Sequence, residues 1–248
     1  MSKTKAPDCI RIFYPKRGVK KYIGFPLIAM LILIAGSVII TLLIKNSGDK
    51  ELQEFLILQN FLALYGIPAI AAILEIVSEW VSTMQYAGKS PKRLILLRTA
   101  PEMEWVLKNA FVFDEIRKAV FCIITAALSA AAAGLTGQHS SEALILWAVF
   151  TAANMYFISV IATVIVRFID NITAMTILVY LWLAITGGLN MLFSGFVLDG
   201  SSAAMCITLA LILGMGAGII TCAAAIKRAC SCRQVCGSRH SDETVKGS

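Results

Sequence analysis

Six uninterrupted apolar blocks leave this chain few ways to fold. They run Ile23–Ile44, Phe55–Thr83, Ala119–Leu135, Ala143–Val166, Ile172–Leu198 and Met205–Ile226. A helix needs about 20 predominantly apolar residues to cross a hydrocarbon core about 30 Å thick, and each block is close to that length or above it. Inside hydrocarbon every backbone N–H and C=O must pair within the protein, so each block is expected to be a helix. The runs are continuous rather than alternating, which argues against a transmembrane β-barrel. The expected fold is therefore all-α, a polytopic membrane protein with six transmembrane helices. Composition agrees, with 58% hydrophobic and only 15% charged residues, where a soluble domain carries about 25% charged residues.

Little chain is left for anything else. An N-terminal segment, 1–22, precedes the six-helix domain of 23–226, and a tail of 227–248 follows it. The longest hydrophilic stretch within the domain is the loop 84–118. The first block starts late and is longer than the apolar region of a signal peptide, so it is expected to be a retained helix.

Lys and Arg fix the expected orientation. Of the 22 basic residues, seven precede block one, seven lie between blocks two and three, Arg167 lies between blocks four and five, and five follow block six. Only Lys45 and Lys50 fall on the other side. By the positive-inside rule both termini and loop 84–118 are cytoplasmic. The net charge of +7 then reflects topology and contact with anionic lipid, not nucleic-acid binding. Residues 8–22 mix Ile10, Ile12, Phe13 and Tyr14 with basic residues, a composition that suits an interfacial segment.

The loop is the most informative hydrophilic stretch. Ser90-Pro91 opens a run that sets Leu94, Leu96 and Leu97 among Lys92, Arg93 and Arg98. Thr99 can cap a second helix with Pro101 in its first turn, Glu102 and Glu104 near its N-terminus, and Trp105 on its apolar stripe. Two short amphipathic helices of this kind form either a docking surface for another subunit or a pair lying on the bilayer. Gly88-Lys89-Ser90 resembles the end of a phosphate-binding loop, but Thr83 stands where its first glycine belongs and no strand precedes it.

Polar groups inside the blocks are the remaining site candidates. Glu75 and Glu79 lie one turn apart in block two, beyond an expected break at Gly66–Pro68. Carboxylates are costly there and seek a partner or water. Lys89 or Arg93 could pair with them, and proton coupling is the alternative. Asn154 and Asn190, in blocks four and five, suit helix-to-helix hydrogen bonds, and Gly214-Met-Gly216-Ala-Gly218 suits close helix packing. The tail sequence of Cys230, Cys232, Cys236 and His240 leaves open zinc binding, acylation or plain thiols. With two histidines in the chain and no recognisable catalytic motif, no enzyme activity is expected.

This organisation resembles the permease subunit of an ABC-type exporter, in the six-span class without a fused ATPase. Glu79, the stretch from Gly88 to Arg98 and Pro101 carry the motif-level likeness. The resemblance implies that Leu94, Leu96, Leu97, Pro101 and Trp105 dock on a separate ATPase subunit, which holds the ATP and Mg, so that no cofactor resides in this chain. It also implies pairing with a second permease copy or paralogue, contact with membrane lipids, and at most a short re-entrant hairpin before the last span. The implied function is export of a peptide, a lipid or a hydrophobic small molecule across a cell (plasma) membrane, and the compact format points to bacteria. A non-catalytic membrane scaffold, or an ion-coupled transporter using Glu75 and Glu79, are the alternatives.

Overall fold

The computed structural model describes residues 16–47, 50–89, 103–169, 172–200 and 202–245, with side chains over 24–47, 53–78, 109, 111–166, 169, 173–200 and 202–224. Among these the chain is helical, with no strand. Helix α1 covers Lys16–Ser47, α2 Lys50–Phe61, a single π-turn Leu62–Gly66, α3 Ile67–Lys89, α4 Met103–Thr136, α5 Ser141–Phe168, α6 Ile172–Leu198 and α7 Ala203–Val245. Six stretches are long and apolar enough to cross a membrane: Gly24–Ser47, Gln53–Ser78, Phe111–Thr136, Ser141–Val166, Thr173–Leu198 and Ala203–Ala224. The chain thus has the form of a multi-pass membrane protein, and with an even number of antiparallel spans Lys16 and Val245, the first and last described residues, fall at the same end of the bundle, its terminal end.

Two boundaries differ from the sequence expectation. Block two does not break at Gly66–Pro68. Instead α2 passes into α3 through the π-turn, where the Ile67 N–H bonds back to the Leu62 carbonyl. Pro68 has no N–H, and in an α-helix its ring would press on the carbonyl four residues earlier. One residue of extra winding relieves that pressure without ending the helix. Gly66 lies at the tightest point, since a β-carbon there would meet Leu62 Cδ1 at 2.6 Å.

The second difference lies in span three, which begins eight residues earlier than the apolar block, at Phe111. The helix expected around Trp105 is not separate. It is the first part of α4, continuous with the span.

Short turns make neighbouring spans antiparallel. Gly137 (φ +77°) and Gly200 (φ +75°) take left-handed conformations in the α4–α5 and α6–α7 turns, which residues with a β-carbon rarely adopt. Ser140 starts α5 by accepting a hydrogen bond from the Ala143 N–H at 3.3 Å, with Glu142 in the first turn, both favourable at a helix N-terminus. α6 runs without interruption to Leu198 and α7 starts at Ala203, so no re-entrant hairpin intervenes among the described residues.

α5 is the hub, packed against α3, α4, α6 and α7, while α1 packs on α3 and α4. Half of the apolar windows of α4 and α5 is buried, against 6% for α6. Small residues from α4 let the hub close up. Ala130, Ala132 and Ala133 pack with Leu64, Trp147, Phe150 and Val197. Toward the terminal end, Phe121 and Cys122 pack with Ile67, Ala71, Met30 and Met155.

Candidate functional site

The strongest concentration of chemistry is a buried charge network where α3, α4 and α5 meet, toward the terminal end. Glu75 projects from the same face of α3 as Ile67 and Ala71, and is 1% exposed. Its partner among the described residues is Arg117 of α4; the Lys89 side chain and Arg93, which the sequence suggested, lie outside the described residues. Arg117 Nη1 donates to Glu75 Oε2 at 3.0 Å, and Nη2 donates to Oε1. This is the two-pronged arrangement that a guanidinium and a carboxylate form best.

The same guanidinium continues the network along α4. Nε and Nη2 reach Asp114 Oδ1 at 3.3 and 3.2 Å. Asp114 Oδ2 in turn faces Lys118 Nζ at 3.0 Å. Lys118 is fully buried and donates across to Thr163 Oγ1 of α5 at 2.9 Å. The Thr163 hydroxyl spends its own proton on the Ser159 carbonyl, 2.9 Å away, so its lone pairs are free to accept from the ammonium. Glu115 lies 3.9 Å from Lys118 and accepts from the Tyr156 hydroxyl at 3.1 Å.

Spacing explains the network. Asp114 reaches Arg117 at i,i+3 and Lys118 at i,i+4, the separations that share a helix face. Withdrawing such charges from water is costly, and mutual pairing is what makes their burial tolerable. The result joins three spans by groups that resist being separated.

The other intramembrane candidates are placed as follows. Asn154 Nδ2 donates to Asn190 Oδ1 at 2.7 Å, linking α5 to α6, and Trp182 adds a bond to the Ile158 carbonyl at 3.1 Å. Glu79 lies on α3, one turn past Glu75, but its side chain is outside the described residues. The same holds for Trp105 on α4 and for the Cys230, Cys232, Cys236 and His240 side chains on α7. Leu94, Leu96, Leu97 and Pro101, like residues 1–15, lie outside the described residues altogether. Among the described residues no group of His, Cys, Asp and Glu has the arrangement of a metal site.

Sequence reasoning missed Asp114, Glu115, Arg117 and Lys118 as site residues, because a run of charges beside an apolar block reads as a solvated loop. The signal was nevertheless present. Acid and base alternate at helical spacing, and no Gly or Pro separates them from the apolar residues that follow.

At the opposite end a second polar cluster ties span two to the α4–α5 turn. Thr136 Oγ1 lies 3.2 Å from Asn60 Oδ1, and Asn60 Nδ2 meets Gln138 Oε1 at 3.4 Å and His139 Nε2 at 3.1 Å.

A groove of about 1320 Å³ runs along the outer surface between α4, α5 and α7. Small residues form its floor, among them Ala127, Ala131, Ala148 and Ala152, with Ser141 toward one end and Glu115 and Tyr156 toward the other. Its volume exceeds the roughly 300–1,000 Å³ of ordinary small-ligand pockets. Almost all of its wall is apolar. No protein-family model matches this chain, and no curated protein or solved structure matches it either.

Proposed function

We propose that this chain is the transmembrane permease subunit of an ATP-driven exporter, working with a separate ATPase subunit and a second permease copy or paralogue. Its substrate is a lipid, a peptide with an apolar tail or a hydrophobic small molecule. The observation that carries this reading is the Glu75–Arg117 fork. α3 and α4 are the two helices that flank the basic stretch 90–102, and the fork holds them together inside the bundle. A force applied to that stretch would move both helices as one body, and Lys118 would pass it to the hub α5. The apolar groove between α4, α5 and α7 supports a hydrophobic substrate.

Ion coupling through Glu75 finds less support, because that carboxylate already has a cationic partner in Arg117. The two readings separate in liposomes that contain the chain and the ATPase that accompanies it. ATP-dependent movement of a fluorescent phospholipid or an acylated peptide, unaffected by collapse of the proton gradient, is the expected result. Movement driven by an imposed proton gradient without ATP, and abolished by Glu75→Gln, would overturn the proposal in favour of ion coupling.

A further inference from the structure

Four side-chain polar atoms are buried without a partner among the described residues: Ser129 Oγ, Trp147 Nε1, Thr151 Oγ1 and Ser159 Oγ. Other hydroxyls in these helices turn back onto their own backbone, as Thr41 does onto Ser37, Thr136 onto Ala133 and Thr186 onto Trp182. Ser129, Trp147 and Thr151 do not, although all three are 0% exposed.

These three residues converge on one depth. Trp147 packs in the same buried cluster as Ala63 and Leu64 of the π-turn and as Ala130 and Ala133 of α4. Met155, two turns further along α5, packs with Ile67 of α3 and with Phe121 and Cys122 of α4. Thr151 lies between Trp147 and Met155 on the same face. Ser129 lies on the α4 face that carries Cys122 and Ala133. Both hydroxyls therefore sit level with the passage from the π-turn into α3.

The backbone at that level is short of donors. The Ile67 N–H is used on the Leu62 carbonyl, and Pro68 has no N–H. At least one of the Ala63 and Leu64 carbonyls is left without a backbone partner, and both residues are buried. A π-turn with a carbonyl lacking its backbone partner, level with unpaired donors, is unusual in a membrane-spanning helix, where polar groups are normally satisfied internally.

The mixture of groups selects the occupant. The indole N–H requires an acceptor, which argues against a cation. The freed carbonyl requires a donor, which argues against an anion. The two hydroxyls can play either part. A small neutral species that both donates and accepts fits all of them, and buried water characteristically makes about three such bonds. We propose that the middle of the bundle holds bound water between the π-turn of span two and Ser129, Trp147 and Thr151. The apolar layer of Ile67, Ala71, Phe121 and Met155 then separates this water from the Glu75–Arg117 network. This inference stands independently of the exporter reading.

The test uses the full chain in lipid nanodiscs. Replacing Trp80, Trp105 and Trp182 by Phe leaves Trp147 as the only indole, and ultraviolet resonance Raman then reports whether its N–H is hydrogen-bonded. The expected result is a bonded N–H band that shifts to the free position in Thr151→Val with Ser129→Ala. A free N–H band in the protein with both hydroxyls intact would overturn the proposal. If the triple Phe variant loses its helical circular dichroism, the unaltered chain decides by brief X-ray radiolysis in ¹⁸O-labelled water. Labelling of buried residues around Trp147 is expected, and their complete protection would show a dry interior and refute the site.

Discussion

The hydroxyl of Tyr156 on α5 passes so close to Gly218 on α7 that any β-carbon at that position would overlap it. One turn earlier, a β-carbon on Gly214 would come within 3.1 Å of the Ala153 carbonyl oxygen. Gly216, between them, faces open space. The two helices thus approach through glycines four residues apart, a spacing that brings helix backbones close in membranes. The approach also lets Tyr156 reach Glu115.

Gly218→Val should therefore cost about 1–3 kcal/mol through overpacking, seen as a lower unfolding midpoint in detergent, whereas Gly216→Ala should not lower it, since a β-carbon there meets nothing and Ala is the better helix former. The loss from Gly218→Ala should be smaller when Tyr156 is already Phe, because the overlapping atom is gone. Equal losses in the two backgrounds would mean that the contact is not where the structure puts it.

Removing one side of the Glu75–Arg117 fork should be far more harmful than removing both. Arg117→Ala leaves a buried carboxylate unpaired and should cost about 3–5 kcal/mol. The double replacement Glu75→Leu with Arg117→Met should recover much of that, because both desolvation costs vanish together. Chemical unfolding of the three variants checks this. A double variant as weak as the single one would argue against a direct pair.

The Asn154–Asn190 bond joins α6 to the hub, beside the Trp182 bond to the Ile158 carbonyl. A double-mutant cycle with Leu at each position should give a coupling energy of about 0.6–2 kcal/mol, and α6 backbone amides should exchange faster in either single variant. Zero coupling would mean that the two amides do not bond to each other.

Filling the groove should separate binding from folding. Ala127 and Ala131 form part of its floor and are exposed within the bundle. Phe at either position should leave the unfolding midpoint almost unchanged but reduce retention of a spin-labelled lipid by the purified chain. Unchanged retention would remove the groove from the account of substrate binding.

Much of this architecture was legible in the sequence, since apolar blocks long enough to span hydrocarbon have few alternatives. The start of span three was not, because Asp114, Glu115, Arg117 and Lys118 lower the hydropathy of its first turns although the fold pairs them away from water. Pairing partners are a tertiary property, so Glu75 could be recognised as costly while its partner, 42 positions away, could not. Gly66–Pro68 signals a break in block two, whereas the helix continues there through a π-turn. Whether a helix breaks or absorbs the strain in a π-turn depends on what supports it from the sides, here the packing around Leu64 and Ile67. The Gly214 and Gly218 face was legible as a packing surface, but its partner on α5 was not.

The exporter reading stands or falls on the company the chain keeps. The direct measurement is a mild-detergent pull-down of the tagged chain from its native cells, with mass spectrometry of what accompanies it. A stoichiometric ATPase subunit is expected, lost when Leu94, Leu96 and Leu97 or Trp105 are replaced by Ser while the chain itself stays folded. Stable, helical preparations that never carry an ATPase would contradict it.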